Sequence, residues 1–157
     1  VTLQSKINKM NRKDFLKTCG FACLGGSAMV ILMQSCTVTK TITGNIENSD
    51  ILVSLSDFES GSDDKITFKK YVIINNDVLK FPICVDRINE NKYNALWLEC
   101  THQGNEVQVF GDKLQCPAHG SEFSNSGLVT NGPADRNLRT FPVTIEGNYL
   151  KISLKAI

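Results

Sequence analysis

Both histidines of this 157-residue chain fall in two short segments, Cys100-Thr101-His102 and Cys116-Pro117-Ala118-His119. A thiolate and a neutral imidazole are both good ligands for a transition metal, and each segment carries one of each. Tetrahedral zinc is one reading, since two Cys and two His also make a structural zinc set. Zinc sites commonly keep like ligands together, as C-x2-4-C and H-x3-5-H. Here the arms are mixed, which favours a centre of two irons in which the thiolates hold one and the imidazoles the other. That these are four unligated core residues would require the pattern to arise by chance.

The surrounding residues are more specific than the ligands. The second arm reads Cys116-Pro117-Ala118-His119-Gly120-Ser121-x-Phe123-x-x-x-Gly127, and Gly132-Pro133-Ala134 follows. From about Leu79 to Ile152 the chain resembles the Rieske family of [2Fe-2S] proteins. The resemblance implies an all-β fold of three stacked antiparallel sheets, with two ligand-bearing loops forming a small cluster-binding subdomain at one end. It implies one [2Fe-2S] cluster, with Cys100 and Cys116 on the inner iron and His102 and His119 on the outer, surface-facing iron. Gly132 and Pro133 belong to a third loop that covers the cluster. Ser121 matches the family serine whose hydroxyl donates to a bridging sulfide and raises the potential. Phe123 stands where high-potential members place a tyrosine, and Asn105 and Ala118 stand where quinol-oxidising members place a disulfide. Fewer donors and no disulfide imply a potential in the lower or middle part of the Rieske range, roughly −150 to +300 mV.

The first 35 residues differ in kind from the rest. Met10 stands directly before Asn11 and the basic stretch Arg12-Lys13-Asp14-Phe15-Leu16-Lys17, so translation is expected to start there, or the upstream nine residues are an extension. The apolar run from Thr18 to Met33 reads as a signal segment. Leu32-Met33-Gln34-Ser35-Cys36 looks like a bacterial lipobox, which makes Cys36 the expected lipid anchor. The basic stretch also resembles a twin-arginine export signal, with Lys13 in place of the second arginine. An uncleaved transmembrane helix is the alternative, although a run of about 16 residues falls short of the roughly 20 needed to span a bilayer. Both readings place the domain in the bacterial cell envelope, membrane-anchored on the non-cytoplasmic side. Residues 36–48, rich in Thr, Ser and Asn, are expected to be a flexible tether to a domain at 49–157.

Beyond Cys36 no segment of 11 or more residues has a helical apolar period, so the domain reads as all-β. Strand-like runs cover Ile51–Leu55, Lys65–Ile74, Leu79–Asp86 and Tyr93–Leu98. Hairpin turns are expected at Asn75-Asn76-Asp77, Asn89-Glu90-Asn91, Gly111-Asp112 and Glu146-Gly147-Asn148. Cys84, in an apolar run, reads as a packed thiol without chemistry. From Cys36 onward 12 Lys and Arg stand against 15 Asp and Glu with no basic cluster, so nucleic acid is not an expected partner. Electron transfer is the expected function, with a redox protein or a membrane quinol as partner. A quinol-oxidising subunit of a cytochrome bc-like complex and the ferredoxin component of an oxygenase are the alternatives. A catalytic oxygenase subunit is excluded, because its mononuclear iron needs further histidines that the chain lacks.

Overall fold

A computed structural model of the protein describes residues 39–62 and 65–155. The signal-like segment and Cys36 lie outside these residues. Fifteen strands follow in order: β1 (Lys40–Thr43), β2 (Ile46–Glu47), β3 (Asp50–Ser54), β4 (Glu59–Ser62), β5 (Lys65–Phe68), β6 (Tyr71–Asn75), β7 (Ile83–Asn89) and β8 (Lys92–Trp97). The second half adds β9 (Gln108–Phe110), β10 (Lys113–Gln115), β11 (Glu122–Ser124), β12 (Val129–Asn131), β13 (Thr140–Phe141), β14 (Val143–Glu146) and β15 (Tyr149–Ser153). The one helical turn among the described residues is a 3-10 turn at Leu55–Phe58, capped by the Ser54 side chain.

The strands make a five-stranded sheet in the order β1-β6-β7-β8-β13, two four-stranded sheets, β14-β15-β3-β2 and β12-β11-β10-β9, and the β4-β5 hairpin. The five-stranded sheet lies between two apolar cores, and the alternation of side chains along its strands explains why. Val72 and Ile74 of β6, Ile83 and Val85 of β7 and Ala95 of β8 enter a core shared with Ile51, Val53, Leu150 and Ile152 of the β14-β15-β3-β2 sheet. Their neighbours Tyr71, Ile73, Cys84, Leu96 and Leu98 face the other way, into a core with Val107, Leu114 and Phe123. Burial on both faces accounts for the unbroken apolar run at the start of β7. Cys84 sits in this second core as expected, its thiol pushed up to about 12 by burial and then by the nearby Asp86 charge.

Three expectations need correction. Part of the expected tether lies in strands: β1 pairs parallel with β6, Lys40 opposite Val72, and β2 pairs with β3. The polar look of Lys40-Thr41-Ile42-Thr43 hides an alternating β-branched pattern whose Ile42 packs on the first core. β1 lies parallel to β6 at the edge of an otherwise antiparallel sheet. The run Lys65–Ile74 breaks at Lys69-Lys70 into β5 and β6. Finally, the β6-β7 connection is longer than a tight hairpin, because Asn76 folds the chain locally. Its side-chain oxygen accepts from Val78 N at 2.8 Å and its carbonyl from Leu79 N at 3.1 Å. β7 starts only after Pro82, with Ile74 opposite Ile83. The turns at Asn89-Glu90-Asn91, Gly111-Asp112 and Glu146-Gly147-Asn148 join antiparallel strands as expected.

Candidate metal centre

The two Cys/His segments are loops that leave the ends of strands in the second core. The first continues from β8. Leu98 N donates to Pro82 O and Val107 N to Leu98 O, each at 2.9 Å, which closes the base of the loop. The second links β10 to β11, and Gln115 pairs with Glu122 across its base.

Inside these bases the loops repeat one hydrogen-bond pattern. Cys100 N donates to Asn105 O at 2.8 Å, and Gly104 N donates to Cys100 O at 2.8 Å. Cys116 N donates to Ser121 O at 2.8 Å, and Gly120 N donates to Cys116 O at 3.0 Å. Each cysteine thus starts a turn closed four and five residues later. Gly104 and Gly120 both have positive φ, +67° and +78°, a conformation that glycine adopts without the Cβ penalty. The turns are therefore written in the sequence as a glycine four residues after each cysteine. That spacing of cysteine and glycine is a signal readable in the sequence.

Facing loops bring like side chains together. The Cys100 and Cys116 thiols are 1% exposed and within hydrogen-bonding reach of each other. His102 and His119 meet edge to face with ring centroids 5.0 Å apart, and His119 is exposed while His102 is half-buried. Burial raises the Cys116 pKa, while the backbone N–H groups of Ala118 and His119 donate to its sulfur and favour the thiolate. Among the described residues no three His, Cys, Asp or Glu side chains gather as ligands of a single ion. The four residues instead make a thiol pair inside and an imidazole pair outside.

One atom tests whether this set suits a metal. His102 Nδ1 is buried and has no hydrogen-bond partner, a costly state for a polar nitrogen that coordination would relieve. An unpartnered imidazole nitrogen on the first loop, together with two buried thiols, fits the donor set of a two-iron cluster.

The remaining expected residues surround the loops. Ser121 is fully buried, and its Oγ accepts from Ala134 N at 3.0 Å. That bond ties the segment Gly132-Pro133-Ala134 to the second loop and leaves the hydroxyl proton free for another acceptor. Phe123 is fully buried in the second core. Asn105 and Ala118 are exposed, and the cysteines described, Cys84, Cys100 and Cys116, are all free. Sequence reasoning missed Arg136, which grips the first loop. Thr101 Oγ1 donates to Arg136 O at 2.5 Å, and Arg136 Nη2 donates to Thr101 O at 3.2 Å.

Residues 59–142 match the model of the Rieske [2Fe-2S] domain, and the chain belongs to that family. Its cofactor is one [2Fe-2S] cluster. Among relatives, the cytochrome b6-f complex iron-sulfur subunit 2 of Nostoc sp. (strain PCC 7120) is 38% identical over 60 residues, which are 38% of this chain and 32% of the relative. The chain thus spans about a third of the length of the curated relatives it matches. A plasma-membrane Rieske protein, PetC3 of Synechocystis PCC 6803, is 32% identical, with a TM-score of 0.47 over 54% of this chain and 86% of that one. A chain in a complex of the oxygenase and ferredoxin of carbazole 1,9a-dioxygenase shares the fold. It is 22% identical, with a TM-score of 0.50 over 69% of this chain and 96% of that chain.

Proposed function

We propose that this domain transfers single electrons, with Cys100 and Cys116 holding one iron of its cluster and His102 and His119 the other. The observation that carries this reading is the sorting of four side chains by two matched turns. Two thiols lie inside in mutual reach, and two imidazoles lie at the surface, one with a buried nitrogen lacking any partner. Sorting by type supports two irons over one zinc. When bound, the cluster supplies one-electron storage without proton loss from a substrate. The chain's residues hold it dry on the thiol side, where burial is nearly complete. They leave the His119 edge open to a partner. Ser121 is placed to donate its proton toward the cluster while its oxygen is held by Ala134 N. Gly132 and Pro133 cover the same side.

With Phe123 offering no hydroxyl and no disulfide between the loops, the potential falls in the lower or middle part of the range. A redox protein or a low-potential membrane quinol suits such a centre. The names of the b6-f relatives favour a second reading, in which the chain is the Rieske subunit of a quinol-oxidising cytochrome complex. In both readings the domain is membrane-anchored on the non-cytoplasmic side of a bacterial envelope, through lipid on Cys36 or an uncleaved helix. Mass spectrometry of the membrane-extracted protein separates them, because retention of residues 18–33 favours the cytochrome-complex subunit.

The ligand assignment is tested by His119→Ala. The expected result is loss of the visible absorption and rhombic EPR signal with the far-UV circular dichroism unchanged. An unaltered EPR signal would remove His119 from the ligand set.

A further inference from the structure

Beside the first loop lies a groove of about 350 Å³ that reaches Cys100 and His102 and is walled by Arg136 and Arg139. We propose that this groove receives carboxylate side chains of the redox protein that exchanges electrons with the domain. The proposal rests on the electron-transfer reading for what docks there, and on the groove's own residues for how.

Both guanidinium groups are held in place before anything binds. Arg139 Nη2 donates to Leu154 O at 3.2 Å, and its guanidinium lies 4.7 Å from the Phe141 ring centroid and 5.1 Å from that of Trp97. Those two rings stack on each other. Arg136 is 77% exposed but is pinned to the first loop through its bond to the Thr101 carbonyl. Each donates one hydrogen bond to the backbone, out of five N–H donors in a planar fork suited to carboxylate. Pinned forks lose little entropy on binding.

Among the groove's lining residues, two guanidiniums outnumber one carboxylate. That carboxylate is Glu99, and Asp135 approaches Arg136 from outside at 3.7 Å, both being well exposed. The residues next to the two imidazoles in the chain, Gln103, Pro117 and Ala118, are exposed and uncharged. A neutral contact area with a charged groove at one side resembles the centre and rim of a transient interface. The neutral area allows close approach to the imidazole edge, and the arginines fix orientation and speed encounter.

Succinylated cytochrome c provides the test, because succinylation replaces lysine ammonium groups by carboxylates on an otherwise identical redox protein. Binding to the full-length protein is measured by calorimetry at low ionic strength, with unmodified, lysine-rich cytochrome c as the control. Arg139→Gln is expected to weaken binding of the succinylated form about threefold, and the Arg136→Gln/Arg139→Gln pair about tenfold, with salt abolishing the difference. Affinity for the unmodified form should hold or rise. Equal losses for both forms, or no loss for the succinylated form, would overturn the proposal. Arg139→Gln leaves the Thr101 clasp intact, so its effect cannot come from a disturbed loop. Binding needs no electron transfer. An absent EPR signal would therefore sink the Rieske reading while this measurement still stood, and a normal signal with unchanged binding would sink the groove alone.

Discussion

The two cores on either side of the central sheet are built by different means. The first is filled by fully buried aliphatic and aromatic side chains such as Ile51, Phe58, Val72, Ile74, Leu150 and Ile152, and its longest strand pairs run over five and six residues. The second has shorter strands of three residues and counts Cys100 and Cys116 among its buried members. Above it the loops stand on four backbone hydrogen bonds, two glycines and the Ser121–Ala134 and Thr101–Arg136 ties. Apolar burial is non-directional and tolerant, whereas a cluster site needs ligands placed to within fractions of an ångström. The base therefore supplies stability, and the loops supply geometry.

That division can be broken from either side. The largest stability effect is expected from Phe58→Ala in the first core, where Phe58 packs edge to face on Tyr93 with centroids 5.2 Å apart. It should cost about 3–5 kcal/mol in chemical denaturation. A loss below about 1 kcal/mol would show that the first core does not carry the fold. Gly120→Ala should cost roughly 1–2 kcal/mol through backbone strain alone, since the space beside that glycine is open. The damage should be confined to the second loop and read as faster cluster loss to a chelator, with the circular dichroism preserved. Global unfolding in step with cluster loss would contradict a separable loop.

Asp86 sharpens the comparison at the seam. Its carboxyl is 7% exposed and borders a small void with Tyr71, Cys84, Val109 and Leu114. Burial raises its pKa above the ordinary 3.8, with Lys70 pulling it down and Asp112 adding to the rise. A carboxyl that ionises less readily folded than unfolded costs nothing below pH 3.8 and destabilises as pH climbs through its raised folded value. Asp86→Asn should then stabilise the protein at pH 7 and lose that advantage below pH 3.8. A gain of the same size at both pH values would show that the charge is not responsible. A smaller effect is expected from Lys70→Met, which removes the ion pair between the start of β6 and Asp112 in the β9-β10 turn. Melting curves in low and high salt should differ for the wild type more than for this variant. Equal salt sensitivity would deny the pair any part in joining the two regions.

Most of this organisation was legible in the sequence where one residue type has one physical use. Val72-Ile73-Ile74 and Ile83-Cys84-Val85 read as parts of strands, and Gly111-Asp112 and Glu146-Gly147-Asn148 as hairpin turns. The mixed Cys/His arms and the Gly132-Pro133 segment pointed to the site before any geometry. What escaped notice depends on partners distant in the chain. Ile42 is an ordinary residue in a polar stretch until β6 comes alongside it, and Arg136 is one more surface charge until Thr101 is folded against it. The parallel β1-β6 pair has no local signature.

The central claim is that two matched turns hold a two-iron cluster by thiols inside and imidazoles outside. An EPR-monitored redox titration of the purified full-length protein tests it most directly. The account predicts a rhombic signal that appears on one-electron reduction, with a midpoint in the lower or middle part of the range of about −150 to +300 mV. A protein that binds zinc and stays EPR-silent through the whole titration would contradict it.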